Sequence, residues 1–381
     1  MAGLLEHVLP SQTSTRAILS YTEATGTQRL VLIPSEAGQA NSKYESPKDM
    51  REVEVFNGRL LHPIPSVSKE GVELLDTSRE NLQRFDFYND QTVADEYAPL
   101  ISDFVKSFLK AAEVIVFDHT RRASSTALIE LKKSREVASQ VHSDYTRWSA
   151  HKRLKEFVGE ERGEELLRKH SRFCVFNLWR SANGEEVLCW PVAFCDRQTV
   201  KPAERITVER RGKDRVGEIQ VAIGSPEHRW LYFPRLLPTE SLLFCTFEDM
   251  FSPETLKGGR DDPTFSDAAS AAPVCRTVKG VGGKGSDGPI EAVSETVSPP
   301  SESICPSVSF EGASGGNCGG VLHVSFERDT IAEGQLLWQR ETERSLMDEK
   351  RGKPCQSLLD NVEVRPRESI ETRMFVFFDA K

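Results

Sequence analysis

The residues of this chain that could do chemistry begin with a histidine and an aspartate two positions apart, His142 and Asp144, in the string VHSDYT. Alternate side chains of a β-strand leave the same face, so in a strand both could reach one metal ion. Two histidines and one carboxylate on one face of an octahedral Fe(II) leave the other positions open for a co-substrate and O₂. The pair therefore provides two thirds of a non-haem iron site, and a surface turn is the alternative.

Short strand-like runs are the elements that would have to position such a site. Residues 172–180 carry polar or charged groups at alternate positions, and the runs 217–223 and 241–247 also have strand composition. Asn183-Gly184 predicts a hairpin turn into a strand within 187–196. Because strands follow strands without long helices between them, we expect a mainly β protein with a jelly roll or barrel.

Two stretches predict helices that flank this β core. Apolar residues recur at helical spacing over 92–112, which predicts a helix packed on a sheet, and the charged stretch 149–169 predicts a surface helix. Between them, 113–118 has strand composition and ends in the string DHTRR. His119 in that string is a further candidate, either as a ligand or as a residue that supports the site.

The composition excludes several functional classes. The chain has 381 residues, 49 Lys and Arg against 58 Asp and Glu, and a net charge of -9 without a basic stripe, which argues against nucleic-acid binding. An apolar run long enough for a membrane span is absent from the sequence, and the N-terminus lacks the features of a signal peptide. We therefore expect a cytoplasmic protein with no nucleic-acid or membrane partner.

The eight cysteines form no CxxC pair, which argues against a structural zinc site. Four of them, at positions 174, 189, 195 and 245, lie in apolar strand-like runs. We expect free thiols that pack as small hydrophobic groups and take no part in catalysis.

Six strings in one order carry a family resemblance: FDHTRR, VHSDYT, RFCVFNLWRS, PVAFCD, HRWLYFP and RPRESIETRMFVFF. Together they resemble the AsaB-type hydroxylase/desaturase family of fungal biosynthetic clusters, also called CmcJ-like, over most of 70–250 and the C-terminal end. The resemblance implies a double-stranded β-helix (jelly-roll) core that binds Fe(II) and 2-oxoglutarate, with ascorbate as an accessory reductant. It also implies a dioxygenase that uses O₂ to oxidise a polyketide, terpenoid or peptide-derived intermediate of secondary metabolism.

The resemblance further implies the remaining site residues. The HxxF pattern of the family's distal metal ligand falls on His323, and the PRES arginine falls on Arg367. The planar fork of an arginine can hold the distal carboxylate of 2-oxoglutarate, and Ser369 could add a hydrogen bond. Arg373 is the alternative arginine, and a surface ion pair is the alternative role for either.

Three more side chains are candidates for the pocket or its surroundings. Tyr145 adjoins the metal motif, Arg180 ends the string NLWR, and His228 lies in HRWLYFP. Packing is the alternative for the first two. His228 is a rival of His323, but its string precedes the distal ligand in the family, so we expect a core or supporting histidine.

Two insertions relative to the family flank His323. About 70 residues, 251–320, form the first insertion, and its part 280–320 is rich in Gly, Ser and Pro, which predicts a disordered excursion, either a surface insertion or a retained intron. Residues 334–351 predict an inserted amphipathic helix. We expect one oxygenase domain over 1–381, with an N-terminal β/α elaboration to about 112 and a jelly-roll core over about 113–250 and 321–381.

Three functions follow from these observations. The first is an active oxygenase that hydroxylates, desaturates or closes a ring. The second is a catalytically impaired partner subunit of a paired oxygenase, within a homo- or heterodimer. The third, a methyltransferase-like cluster protein, lacks the Gly-rich strand-to-helix turn of a nucleotide-like cofactor site.

Overall fold

The computed structural model describes residues 12–32, 47–211, 216–251, 320–325 and 366–380. Nearly all of the predicted excursion, and the whole predicted helix over 334–351, lie outside these described residues. Within them, two sheets contain all of the fifteen strands.

The larger sheet has nine strands and carries the His142 motif. In spatial order the strands are β1 (Ser14–Thr22), β3 (Lys48–Asn57), β12 (Trp230–Tyr232), β9 (Val192–Cys195), β14 (His323–Ser325), β7 (His142–Ser143), β11 (Val216–Ala222), β10 (Arg205–Arg211) and β2 (Arg29–Leu32).

The smaller sheet has six strands. In spatial order they are β4 (Val72–Asp76), β13 (Glu240–Met250), β8 (Arg172–Ser181), β15 (Glu368–Phe378), β5 (Glu113–Ala123) and β6 (Arg135–Glu136). All of these pairings are antiparallel except that of β5 with β6. The predicted mainly β, jelly-roll architecture is confirmed.

The nine-stranded sheet curls back on itself. β1 lies at one edge, yet its Ser20 bridges Gln140 and its Thr22 bridges Ile223, which adjoin β7 and β11. The Val141 amide also donates to the Ser20 carbonyl at 2.8 Å. The N-terminal strands are therefore part of the sheet that carries His142, and they support the residue immediately before it.

The six-stranded sheet has two faces of opposite character. Thr372 of β15 lies within 3.4 Å of the Tyr97 hydroxyl, on the face covered by helices, which we call the outer face. Arg373 forms an ion pair with Asp144 of the other sheet's motif, on the face we call the inner face. Because strand residues alternate, Arg367, Ser369 and Glu371 share the inner face with Arg373.

Five α-helices flank the sheets: α1 (Asp90–Thr92), α2 (Ala98–Leu109), α3 (Thr126–Lys132), α4 (Arg147–Val158) and α5 (Glu160–Lys169). A π-helical turn, Val93–Tyr97, joins α1 to α2, and the apolar side of α2 packs on the outer face as predicted. Short 3₁₀ turns lie at Gly58–Leu60, Leu82–Arg84, Arg197–Thr199 and Pro202–Glu204. None of the described helices could cross a membrane.

Two local predictions were wrong. The single helix expected over 149–169 is broken at Gly159, whose φ of 90° lies in the region that glycine tolerates best. The hairpin expected at Asn183-Gly184 does not form, because β8 and β9 belong to different sheets. β9 pairs instead with β12 and β14, so the turn carries the chain from one sheet to the other.

Within the described part of the chain, the four cysteines are free thiols, as expected. Cys174, Cys195 and Cys245 are buried free thiols in strands, and Cys189 is a partly buried one. Burial raises the pKa of the Cys195 thiol to about 12, which makes it a poor nucleophile near neutral pH.

Candidate metal centre

His142, Asp144 and His323 meet where β7 pairs with β14. His323 is the register partner of His142, and the two imidazole centroids are 4.4 Å apart. His142 Nε2 lies 3.5 Å from Asp144 Oδ1. One ligand atom from each of the three residues lies within 4.8 Å of the others, a spacing at which all three could bind a single ion.

Both imidazoles are held in the tautomer that a metal needs. His142 Nδ1 donates to the Gln140 carbonyl at 2.7 Å, and His323 Nδ1 donates to the Val321 carbonyl at 3.3 Å. A neutral imidazole that donates through Nδ1 keeps the lone pair of Nε2 free for a metal. Burial, reinforced by the nearby His142, lowers the pKa of His323 to about 3, so this ring is neutral at pH 7.

Asp144 is ionised, and residues of the six-stranded sheet contact its carboxylate. Burial opposes its negative charge, but the charge of Arg373 and the contact with His142 outweigh burial and hold its pKa well below the usual value. Its Oδ2 accepts a hydrogen bond from Asn177 Nδ2 at 2.8 Å and faces Arg373 Nε at 3.3 Å. Oδ1 is the oxygen on the histidine side.

Both ligand segments lie against the backbone of β13. The Thr246 carbonyl accepts a hydrogen bond from Ser143 Oγ at 2.9 Å, between His142 and Asp144, and the Val321 amide donates to the Cys245 carbonyl at 2.7 Å. Gly320 passes so close to the Thr246 carbonyl that a Cβ atom there would lie 1.8 Å from the oxygen. Only glycine permits this approach, which brings the chain into β14 three residues before His323.

Arg367 is a buried cation, and two of its nitrogens have no hydrogen-bond acceptor among the described residues. It is 3% exposed, and its Nη1 donates to the Trp190 carbonyl and, at 2.9 Å, to Ser325 Oγ. Its Nε and Nη2 are buried without a hydrogen-bond acceptor among the described residues. These two atoms form one edge of the guanidinium, the edge that can bind a carboxylate with two hydrogen bonds. Burial and the nearby Arg122 lower its pKa to about 9.

Arg373, the alternative arginine, is already engaged. It forms ion pairs with Asp144, with Asp118 at 2.8 Å and with Glu371 at 2.6 Å. Burial opposes its charge, but these carboxylates raise its pKa above the usual value. A guanidinium held by three carboxylates has little left to offer a co-substrate, whereas Arg367 has an open edge.

Two candidates from the sequence do not reach this centre, because they lie on the outer face. His119 Nδ1 is 3.1 Å from Thr372 Oγ1, and burial lowers the pKa of His119 to about 4. Arg180 Nη2 donates to the Pro238 carbonyl at 2.6 Å, and its guanidinium covers the Phe87 ring at 5.3 Å. In their strands, both residues occupy positions that alternate with the inner-face positions, so their side chains point to the outer face.

His228 lies inside the curled sheet, away from the centre. Its Nδ1 is 3.0 Å from the Tyr21 hydroxyl and its Nε2 is 3.1 Å from Glu204 Oε2, so both ring nitrogens are occupied. Tyr145 is partly buried, with its ring packed edge-on against Phe117. Ser369 is buried on the inner face, opposite Arg122 of β5.

The sequence suggested no role for Asn177, and it suggested Arg373 either as a co-substrate ligand or as a member of a surface ion pair, not as a partner of Asp144. The signal was present in the alternating polar positions of RFCVFNLWRS and RPRESIETR. Each string places its alternate polar groups on one face of a strand. The strings do not reveal which residues of the other sheet these polar groups face, and here that residue is Asp144.

A protein family covers most of this centre. The family described as YDMC, an oxidoreductase/YMDC permease-like domain, matches residues 19–261, more than half of the chain. The chain belongs to this oxidoreductase family. The match runs from within β1 to beyond β13 and includes His142 and Asp144, and it confirms the prediction of an enzyme.

Curated relatives of this oxidoreductase are fungal. It is 26% identical over 171 residues to the alpha-ketoglutarate-dependent dioxygenase phiK of Fungal sp. (strain ATCC 74256), an alignment that covers 43% of the chain and 60% of that relative. It is 26% identical over 238 residues to oxidoreductase R1 of Phoma sp. (strain ATCC 20986 / MF5453), which covers 56% of the chain and 78% of the relative. The cofactor named for phiK is the one expected from the sequence.

Solved structures support the fold of this oxidoreductase. The iron and alpha-ketoglutarate-dependent endoperoxidase NvfI, in a different conformation, aligns with a TM-score of 0.61 at 16% identity, over 98% of this chain and 100% of that one. A tryptophan-to-phenylalanine variant of the same endoperoxidase gives the same values. At this identity the likeness establishes the jelly-roll fold.

Proposed function

We propose that this oxidoreductase is an Fe(II)- and 2-oxoglutarate-dependent oxygenase that oxidises a small-molecule intermediate with O₂. The observation that carries the proposal is the meeting of His142, Asp144 and His323, with Arg367 buried on the facing sheet. The donor set is the two-histidine, one-carboxylate triad that suits Fe(II). The open guanidinium edge suits a carboxylate of the co-substrate.

The residues present fit the iron in charge as well as in type. His323 is neutral and Asp144 is anionic at neutral pH, which are the protonation states that bind a divalent ion. When bound, Fe(II) would activate O₂ at the expense of 2-oxoglutarate, which is decarboxylated to succinate. The chain supplies binding, orientation and exclusion of water.

Arg367 is the residue we assign to the distal carboxylate of 2-oxoglutarate. It lies on the inner face with Ser369, and Ser325 of β14 supports it from the other sheet. A buried guanidinium without an anionic partner is costly, so a bound carboxylate would satisfy both its charge and its two unpartnered donors. Arg367 therefore orients the co-substrate toward the metal side of the cleft.

Aromatic side chains shield the centre from water. The Phe244 ring lies 4.9 Å from the His323 ring and the Phe194 ring lies 6.4 Å from it, measured between centroids. Both phenylalanines are buried. A dry setting strengthens the electrostatic interactions of the site and protects reactive species from side reactions.

At a finer level, we infer that the chain is an AsaB-type hydroxylase/desaturase that acts on a polyketide, terpenoid or peptide-derived compound. The inference is supported by the order of its strings and by the fungal relatives. The complete triad and the open arginine favour a catalytic subunit over an impaired partner. Hydroxylation, desaturation and ring formation all begin at a C–H bond near the iron, and substrate placement selects among them.

An anaerobic titration of the full chain with Fe(II) and 2-oxoglutarate tests the proposal. We expect the weak visible absorption band that arises when 2-oxoglutarate chelates Fe(II), and we expect His323→Ala to remove it. His228→Asn is the matched control, since His228 is also buried on the nine-stranded sheet but lies away from the centre. Absence of the band from the wild-type protein, or its persistence in His323→Ala, would refute the assignment.

A further inference from the structure

The two oxygens of Asp144 have different surroundings. Oδ2 receives Asn177 Nδ2 at 2.8 Å and the charge of Arg373 Nε at 3.3 Å. Oδ1 faces His142 Nε2 at 3.5 Å, on the side where the three candidate ligands converge. One oxygen of the carboxylate is therefore tied to the six-stranded sheet, and the other is turned toward the metal position.

The side-chain amide of Asn177 can donate to Asp144 Oδ2 in only one of its two orientations. Its side chain is fully buried, and rotating the amide by half a turn would bring its carbonyl oxygen against the carboxylate. Its Oδ1 has no hydrogen-bond partner among the described residues, so the donation to Asp144 is its only side-chain hydrogen bond there. Among the described residues, the Asn177 amide therefore holds Asp144 and takes part in no wider hydrogen-bond network.

Arg373 is fixed from the opposite side. Asp118 at 2.8 Å and Glu371 at 2.6 Å anchor its two terminal nitrogens, and Nε lies 3.3 Å from Asp144 Oδ2, an ion-pair contact without a hydrogen bond. Arg373 is also the register partner of Asn177, so the two groups stand side by side on adjacent strands. They form a clamp across the cleft, on a carboxylate that belongs to the other sheet.

We propose that Asn177 and Arg373 are positioning residues that keep Asp144 a one-oxygen ligand and so preserve a coordination position for O₂. The proposal rests on the proposed function. An octahedral ion bound by two histidines and one carboxylate oxygen has three open positions, two for 2-oxoglutarate and one for O₂. A carboxylate can also bind through both oxygens. If Asp144 did so, the last position would be filled.

The test compares four full-length proteins loaded anaerobically with Fe(II) and 2-oxoglutarate: wild type, Asn177→Leu, Arg373→Lys and Thr372→Val. Nitric oxide serves as the probe for the O₂ position, because its complex with Fe(II) has a distinctive electron paramagnetic resonance signal. Thr372→Val is the matched control: it removes buried hydrogen bonds beside Arg373 but on the outer face. Metal affinity and the melting temperature are measured on the same samples.

For Asn177→Leu we expect nitric oxide affinity to fall at least tenfold while the melting temperature stays close to that of wild type. Metal affinity should change by less than the nitric oxide affinity, because all three ligands remain. Arg373→Lys keeps one charge near Asp144 and should show a smaller loss. Thr372→Val should bind nitric oxide as wild type does.

Two outcomes would overturn the proposal, and they are distinguishable. If wild type binds Fe(II), 2-oxoglutarate and nitric oxide and Asn177→Leu does so equally well, the clamp is refuted and the proposed function stands. If wild type shows no 2-oxoglutarate complex, the proposed function fails and the clamp fails with it. Asn177→Leu keeps the branched shape at Cγ without adding charge, and its melting temperature is measured on the same samples, so the test does not depend on the folding of the Arg373 variant.

Discussion

The two faces of the six-stranded sheet carry similar residue types for different purposes. On the inner face, Arg367 has one whole guanidinium edge without acceptors among the described residues, and Arg373 holds a candidate metal ligand. On the outer face, Arg180 donates to a backbone carbonyl, covers an aromatic ring and leaves one nitrogen, Nη1, without an acceptor there, and His119 packs against Tyr97 and Thr372. Strand parity, and not residue type, separates the chemical face from the structural one.

The role of a charged residue in a strand therefore depends on what satisfies its charge and its hydrogen-bond donors. The outer-face cation Arg180 has a carbonyl acceptor and an aromatic ring within its own chain, so its removal should cost packing. An inner-face cation with an open edge is satisfied only by something that binds, and its removal should cost affinity. Matched substitutions on the two faces test that distinction.

The largest effect is expected at the metal ligands. His142→Ala or Asp144→Ala should abolish 2-oxoglutarate turnover and weaken iron retention, since each removes one of three ligands, while the fold persists. His119→Ala, which removes a histidine of the outer face, should retain turnover. Succinate formation and circular dichroism would check these outcomes. Wild-type turnover in either ligand variant would contradict the assignment.

Arg367→Gln should weaken 2-oxoglutarate binding by roughly 100-fold, since about 3 kcal/mol is typical for a pair of charge-assisted hydrogen bonds lost from a buried site. Arg180→Gln should leave this affinity within about twofold of wild type and lower the melting temperature instead. Isothermal titration of the metal-loaded proteins would measure both effects. Equal losses in the two variants would erase the distinction between the faces.

His119 should make the metal-free protein less stable as the pH falls. Burial lowers its pKa to about 4 in the folded protein, whereas the unfolded chain takes up the proton near the ordinary value of about 6.5. Its stabilising contribution is therefore complete above pH 6.5 and declines toward pH 4, by about 2 kcal/mol at pH 5. Urea unfolding at pH 7 and pH 5 should show a smaller difference in His119→Gln. An unchanged difference would contradict the buried, neutral state.

The smallest effect is expected for Thr372→Val on the outer face. It removes contacts with His119 and Tyr97 and should lower the free energy of unfolding by about 1 kcal/mol, with 2-oxoglutarate binding unchanged. Chemical denaturation combined with the binding titration would detect this. A loss of co-substrate affinity here would show that the outer face also contributes to the site.

The sequence alone was sufficient for the parts of the molecule that depend on local spacing. The two-residue interval predicted that His142 and Asp144 share a face, and the succession of short strands predicted the jelly roll. His323 came from family resemblance, and the structure places it beside His142 although the sequence between them is long. Each of these predictions needs only a short stretch of neighbouring residues.

The parts that escaped prediction depend on which sheet a strand joins. Asn183-Gly184 resembles a hairpin turn in any context, and nothing nearby reveals that β8 and β9 separate into different sheets. The partnership of Asn177 and Arg373 with Asp144 likewise spans the cleft between the sheets. Such contacts are set by long-range packing, which a local pattern does not encode.

The curl of the nine-stranded sheet also determines when during synthesis the metal centre can exist. β1 supports the residue before His142, so that side of the centre can form once β7 has left the ribosome. His323 and Arg367 emerge much later. A nascent chain that ends before Gly320 lacks the third ligand, and we expect it to compete poorly for cellular iron until His323 has been synthesised.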